Sequence, residues 1–254
     1  MLPTQKVAVV LGASAKNGIG WACVERLVAE GAKVVVGARS YDRLKSMCAP
    51  IGAVAVKCDA ASRDDIRNLA AVALKEYGHL DIAVNSAGNG VLSSIADVTE
   101  EMLREAMVVN YYGMVNFVQT MTAAMGTRAA DNFGSVVLVS TLSVDHPMAP
   151  VFPYAAAKGA TDTLVRYAAL EYGPKHIKVN SINPGFVMTD MARSSDLQGL
   201  EIVEQMAGKA SALGRIATAA ECADAVYWLA SSAFVTGTHV KVCGGNQLRS
   251  QFGD

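Results

Sequence analysis

The sequence predicts an α/β fold: one doubly wound domain with a seven-stranded parallel sheet and helices on both faces. Three observations predict it. Seven short runs rich in valine and isoleucine are apolar on successive residues, as strands buried on both faces are. Longer stretches with helical periodicity alternate with them, and such alternation gives a parallel sheet whose right-handed crossovers cover both sides. No low-complexity tract, Pro/Ser-rich linker or fixed-period repeat divides the 254 residues, so a single domain over 1–254 is expected.

In chain order, the strand Val7–Leu11 leads into a glycine-rich turn and a helix near Gly18–Glu30. Lys33–Gly37 and a helix over Tyr41–Cys48 follow, then Ala53–Lys57 and a helix over Arg63–Tyr77. Asp81–Asn85 precedes a long helical pattern over Glu100–Met125, and Ser135–Ser140 precedes a helix over Tyr154–Tyr172. Lys178–Ile182, a helix near Ala219–Ser231 and His239–Val242 complete the set. Ligands of such sheets bind beyond the carboxyl ends of the strands. The chemistry-bearing residues of this chain lie there, with a cofactor half over about 1–140 and a substrate half over about 141–254.

Composition excludes several classes. Hydrophobic residues at 52% and charged residues at 18% exclude a disordered chain. A net charge of −1 gives no electrostatic case for nucleic acid or an anionic membrane. No apolar run approaches the ~18 residues of a membrane span, and Met1–Lys6 lacks the basic head of a signal peptide. Five cysteines without a CxxC, and four histidines without HxxxH or HxH, disfavour a disulfide frame or a metal site and fit a reducing cytoplasm.

After the first strand comes Gly12-Ala13-Ser14-Ala15-Lys16-Asn17-Gly18-Ile19-Gly20. Glycines let the backbone approach a pyrophosphate, and the next helix offers its positive N-terminus, so this turn points to a dinucleotide. The second strand ends Val36-Gly37-Ala38-Arg39-Ser40. An NAD site usually places a carboxylate there for the ribose 2′-hydroxyl. Here it is missing, and Arg39, with Lys16 within reach, suits a 2′-phosphate. NADP(H) is therefore favoured over NAD(H). Asp59, after the third strand, either accepts from the adenine amino group or caps the helix beginning near Ser62, a task Ser62 itself suits.

Tyr154 and Lys158 stand four residues apart at the start of a predicted helix, on one face. A phenol titrating near 10 is a poor acid–base at neutral pH, and a neighbouring ammonium is expected to lower it into use for a carbonyl/alcohol pair. The preceding strand ends in three hydroxyls, Ser140, Thr141 and Ser143, one of which would polarise the substrate oxygen.

At these motifs the chain resembles the short-chain dehydrogenase/reductase family, in its shorter single-domain branch, from about Lys6 to Gly245. Gly12, Gly18 and Gly20 resemble its cofactor loop, and Asn85-Ser86-Ala87-Gly88 its Asn-Asn-Ala-Gly motif. Asn110 matches the asparagine of the family's catalytic tetrad, and Tyr154 and Lys158 its Tyr-x-x-x-Lys. Asn183-Pro184-Gly185-Phe186-Val187-Met188-Thr189 resembles its Pro-Gly motif, and Val242-Cys243-Gly244-Gly245 its closing Val-Asp-Gly-Gly. Aligned without gaps, the family serine falls on Thr141; a small shift would make it Ser140 or Ser143. Five residues separate Gly12 from Gly18 where the common pattern has three. Enoyl reductases of the superfamily lengthen this loop too, but space their tyrosine and lysine further apart.

The resemblance implies a Rossmann-type fold and an oxidoreductase that moves a hydride between NADP(H) and a ketone or secondary alcohol. The catalytic residues would be Asn110, Thr141, Tyr154 and Lys158. Tyr154 would be the acid/base, and Asn110 would hold a water that relays protons to Lys158. The cofactor would meet Gly12, Ser14, Lys16, Asn17, Gly18, Ile19, Arg39, Ser40, Asp59, Ala60, Asn85, Ala87, Gly88, Tyr154, Lys158, Pro184, Gly185, Val187 and Thr189. The segments Gly88–Ser93, Val144–Pro153 and Phe186–Gln205 frame the substrate with few charges, which suits an apolar or cyclic carbonyl compound. Met191–Met206 reads as a mobile lid, and the apolar surfaces of the two longest helices as the interface of a homo-oligomer, tetramer or dimer. The alternatives are an NAD-dependent alcohol dehydrogenase, a 3-oxoacyl thioester reductase and, in another class, a non-catalytic dinucleotide-binding sensor.

Overall fold

The computed structural model describes residues 5–194 and 200–248. Strands β1 (Val7–Leu11), β2 (Lys33–Ala38), β3 (Val54–Lys57), β4 (Ile82–Asn85), β5 (Gly134–Val139), β6 (Ile177–Pro184) and β7 (His239–Val242) form one sheet. Its order is β3-β2-β1-β4-β5-β6-β7, and every neighbouring pair is parallel. The winding reverses between β1 and β4, which opens a crevice at their carboxyl ends. Successive strand residues serve opposite faces. Val7, Val9 and Leu11 pack beneath the helices α3 (Arg63–Tyr77), α5 (Gly113–Met125) and α6 (Phe152–Tyr172). Ala8 and Val10 face α1 (Ile19–Ala29), α2 (Tyr41–Cys48) and α9 (Ala219–Ser231). Burial on both faces is why the strands carry no polar alternation.

Two expected elements are revised. The pattern over Glu100–Met125 is not one α-helix: α4 (Glu100–Met107) passes through a π-helical turn, Val108–Tyr112, before α5 begins. Apolar periodicity survives one widened turn, so the sequence pattern does not reveal it. The stretch Met191–Met206, expected as an irregular lid, is largely helical where it is described, as α7 (Asp190–Ser194) and α8 (Leu200–Ala210); residues 195–199 lie outside the described residues, as do 249–254 of the tail. Among the described residues, no helix is long and apolar enough to cross a membrane, and all five cysteines are buried and unpaired.

The amino edge of the sheet is fastened by one carboxylate. Asp81, just ahead of β4 and 3% exposed, accepts from Val7 N at 2.9 Å and forms an ion pair with Arg128. Lys6 Nζ, at 3.5 Å, and His79 Nε2, at 3.2 Å, complete its surroundings. The clamp joins the strands on either side of the crevice at the end remote from it.

Candidate active site

All the predicted site residues gather at the carboxyl edge. Gly12 leaves β1 at φ +89°, a left-handed conformation that a side chain would strain. A Cβ there would lie 2.4 Å from Ala87 N, and one on Gly20 would lie 2.4 Å from Gly12 O. These glycines thus let the turn, the segment after β4 and the start of α1 meet backbone to backbone. Ser14, Lys16 and Asn17 form the turn between them, Gly18 is the N-cap of α1 and Ile19 its first residue. Gly12→Ala is expected to cost about 2 kcal/mol or more, read by thermal melting.

Beyond β2, Arg39, Ser40, Tyr41, Asp42, Arg43 and Lys57 line an open recess of about 360 Å³. Lys16, expected as the second cation beside Arg39, is exposed in the glycine turn and is not among the lining residues. Lys57 takes that place because the parallel register sets it against Ala38. Arg43 comes from the first turn of α2 and pairs with Asp190 at 3.1 Å. The four-residue spacing of Arg39 and Arg43 is the one sequence signal for this pair of cations; the place of Lys57 depends on strand register.

At the end of β3, Ser62 caps α3 by accepting from Asp65 N, while Asp59 Oδ1 accepts from Ala61 N at 2.9 Å. That resolves the capping alternative in favour of Ser62; Ala60 follows Asp59 in the same turn, and its carbonyl lies against Gly113. Asn85 ends β4 and accepts from Ala87 N at 2.9 Å, bracing the turn through Ala87 and Gly88. Its Nδ2 is buried without a hydrogen-bond partner among the described residues. Pro184 ends β6, Gly185 N donates to Val242 O at 3.0 Å, Val187 is buried, and Thr189 N donates to Val187 O.

Three elements converge on Tyr154. The residue sits in the first turn of α6, held by a helix that begins with Pro153 just inside it. Thr141, extended after β5, is the one of the three candidate hydroxyls that acts on the phenol, in the direction that favours its ionised form. Its Oγ1 also accepts from Ser143 N at 3.2 Å. Ser140 is buried, its Oγ without a hydrogen-bond partner among the described residues, and Ser143 is buried. Lys158, one helical turn on, is 2% exposed, lies 5.8 Å from the Tyr154 ring centre and donates to Val139 O at 2.8 Å.

The electrostatics correct the expectation of a phenol lowered by its ammonium neighbour. Burial pushes Tyr154 up to about 12, and the hydrogen bond from Thr141 opposes this as the smaller effect. The same dry surroundings push Lys158 down to about 7, with Asp162 pulling the other way. Desolvation of both charged forms outweighs their mutual attraction.

Asn110 lies wholly buried in the π-helical turn. Its Nδ2 donates to Asn89 O at 2.9 Å, Asn89 Oδ1 at 2.7 Å and Ala106 O at 2.9 Å, and its carbonyl accepts from Thr161 of α6. The side chain ties the segment after β4 to α4, and the backbone carbonyl of Asn110 ties the π-helical turn to α6; Asn89, the side chain's partner, carries no signal in the sequence. Among the described residues, no group of three or more His, Cys, Asp or Glu is placed to hold a metal ion.

Comparisons with known proteins accord with this geometry. A family model described as enoyl-(acyl carrier protein) reductase matches residues 12–247. A Streptomyces violaceoruber protein named "Granaticin polyketide synthase putative ketoacyl reductase 2" is 34% identical over 251 residues, covering 97% of this chain and 98% of that protein. Dehydrogenase/reductase SDR family member 4 of Homo sapiens is 30% identical over 252 residues, covering 96% and 88%. A crystal structure of an actinorhodin polyketide ketoreductase variant with NADPH superposes with a TM-score of 0.85 at 27% identity, covering 95% of this chain and 97% of that one.

Proposed function

Since the chain belongs to the short-chain dehydrogenase/reductase family, and so is an oxidoreductase of that family, we propose that it transfers a hydride between NADP(H) and a ketone or secondary alcohol. The observation that carries this reading is Lys158 Nζ, 5.8 Å from the Tyr154 ring centre and one helical turn on, with Thr141 acting on the phenol at the carboxyl edge of the sheet.

The residues fit a dinucleotide. The glycine turn closes on the N-terminus of α1, the recess beyond β2 offers Arg39, Arg43 and Lys57, and Asn85 Nδ2 and Ser140 Oγ are bare polar atoms at the ends of β4 and β5. Bound there, the nicotinamide would supply the hydride. In reduction, Tyr154 gives its proton to the carbonyl oxygen, and Thr141 donates a hydrogen bond to the charge developing on that oxygen. Lys158 holds positive charge beside the phenol, so that the phenolate left behind is not bare. Oxidation runs the same transfers backwards.

Arg39 supports NADP(H) over NAD(H), since a guanidinium pairs a phosphate through two parallel hydrogen bonds. Fluorescence titration is expected to show NADPH binding at least about tenfold tighter than NADH, or ~1.4 kcal/mol. Arg39→Ala is expected to remove most of that margin while leaving NADH affinity nearly unchanged; an NADH preference in the parent protein would overturn the cofactor assignment.

The segments around the site support an apolar or cyclic carbonyl substrate. A second reading, 3-oxoacyl thioester reduction, is favoured by the printed names of the granaticin and actinorhodin relatives. Parallel assays with a cyclic ketone and a 3-oxoacyl thioester decide between them. The four-residue spacing of Tyr154 and Lys158 weighs against double-bond reduction. Exposed Tyr112, Tyr167 and Leu170 support a homo-oligomer built on the helices that carry the site. The buried free cysteines fit a reducing compartment such as the cytoplasm.

A further inference from the structure

The face of α6 that carries Tyr154 and Lys158 continues in the same four-residue steps to Asp162 and Arg166. Asp162 is 4% exposed. Its Oδ2 accepts from Asn183 Nδ2 of β6 at 2.9 Å. Its Oδ1 has no hydrogen-bond partner among the described residues and faces His239 Nδ1 of β7 across 3.6 Å. A carboxylate so far from water persists only where charge and hydrogen bonds offset its desolvation.

The surrounding bonds run in one direction. Arg166 has only donors, so at 3.1 Å from Nη1 the His239 Nε2 must accept, and Nδ1 carries the ring proton. Nδ1 then donates to Ser181 Oγ at 2.8 Å, Ser181 Oγ donates to Asn183 Oδ1 at 3.2 Å, and Asn183 Nδ2 donates to Asp162. The chain ends on the carboxylate and fixes its orientation.

We propose that Asp162 is a positioning residue, a buried carboxylate oriented by this chain one helical turn beyond Lys158, which favours the charged form of that lysine. The proposal rests on the Tyr154–Lys158 reading above for its catalytic meaning, though not for its test. Every group facing the cluster is consistent with it. Lys158 is pushed down to about 7 by burial, and Asp162 is the group that pulls it back up. His239 is pushed below its ordinary value, first by burial and also by Arg166, against Asp162 and Asp145, so it stays neutral and leaves the Asp162 charge to Lys158. Asp145 is itself paired with Lys241 at 3.0 Å.

The test follows the titration of Lys158 by NMR in protein labelled at the lysine ε-carbons, with Lys158→Met supplying the assignment. In Asp162→Asn, which keeps the shape and can still accept from Asn183, the Lys158 midpoint is expected to fall by about half a pH unit or more. A folded D162N whose midpoint matches the parent overturns the proposal. His239→Arg places a fixed positive charge beside Asp162 from β7 and leaves the Asp162 side chain itself in place. It is expected to shift the midpoint the same way and decides the matter should D162N not fold; an unmoved midpoint there also overturns it. Steady-state rates against pH separate the two levels of inference. A shifted NMR midpoint with an unshifted alkaline limb leaves Asp162 in its role and counts instead against Lys158 acting in proton transfer.

Discussion

Replacing Tyr154 with phenylalanine is expected to lower kcat for ketone reduction by about 10²–10⁴-fold, the usual worth of a positioned proton donor. The phenyl ring keeps the packing above Lys158, and only the O–H that Thr141 engages is lost. NADPH binding should stay within about twofold of the parent, because the cofactor surface at Gly12, Arg39 and Pro184 is untouched. The pH profile carries a sign. Tyr154, pushed up to about 12, keeps its proton at every working pH, whereas Lys158, pushed down to about 7, loses its charge first. Reduction by the parent should therefore decline as pH rises through the lysine's range, well below where the phenol ionises. Should Tyr154→Phe reduce a true substrate at the parent rate, the proton donor has been misassigned.

The second large effect lies at the opposite edge and touches stability alone. Asp81→Ala is expected to cost about 3–5 kcal/mol, because it leaves the Arg128 guanidinium, 10% exposed, without its counter-charge and strips Val7 N of its acceptor. For a chain of this length that is a fall in melting temperature on the order of 10 °C. The activity of the molecules still folded should be unchanged below the transition. A melting temperature within about 2 °C of the parent would show that Asp81 and Arg128 form no clamp.

Those two residues also show what the sequence could and could not convey. The strands were legible because Val7–Leu11 or Lys33–Ala38 must be apolar on both faces, and the helices because Arg63–Tyr77 and Ala219–Ser231 carry helical periodicity; the cap at Thr218 is a finding of the structure. Tyr154, Lys158 and Thr141 were legible because their spacing is local or follows a strand end. Arg43, Lys57, Asn89 and Asp162 were not singled out, since their roles depend on register and on contacts between distant segments. Asp81 was included in a strand although a charge in a doubly buried run was itself a sign of a specific partner. The phenol's electrostatics went the wrong way for a related reason: spacing reports proximity to Lys158, while desolvation depends on everything else around the pair.

Fastening and recognition occupy opposite rims of one sheet. Asp81, Val7 and Arg128 close one end; the segments that frame the substrate extend from the other. Substitutions in the segments proposed to frame the substrate therefore draw on none of the Asp81 bonds, so descendants of this chain can change diet without loosening that end of the sheet.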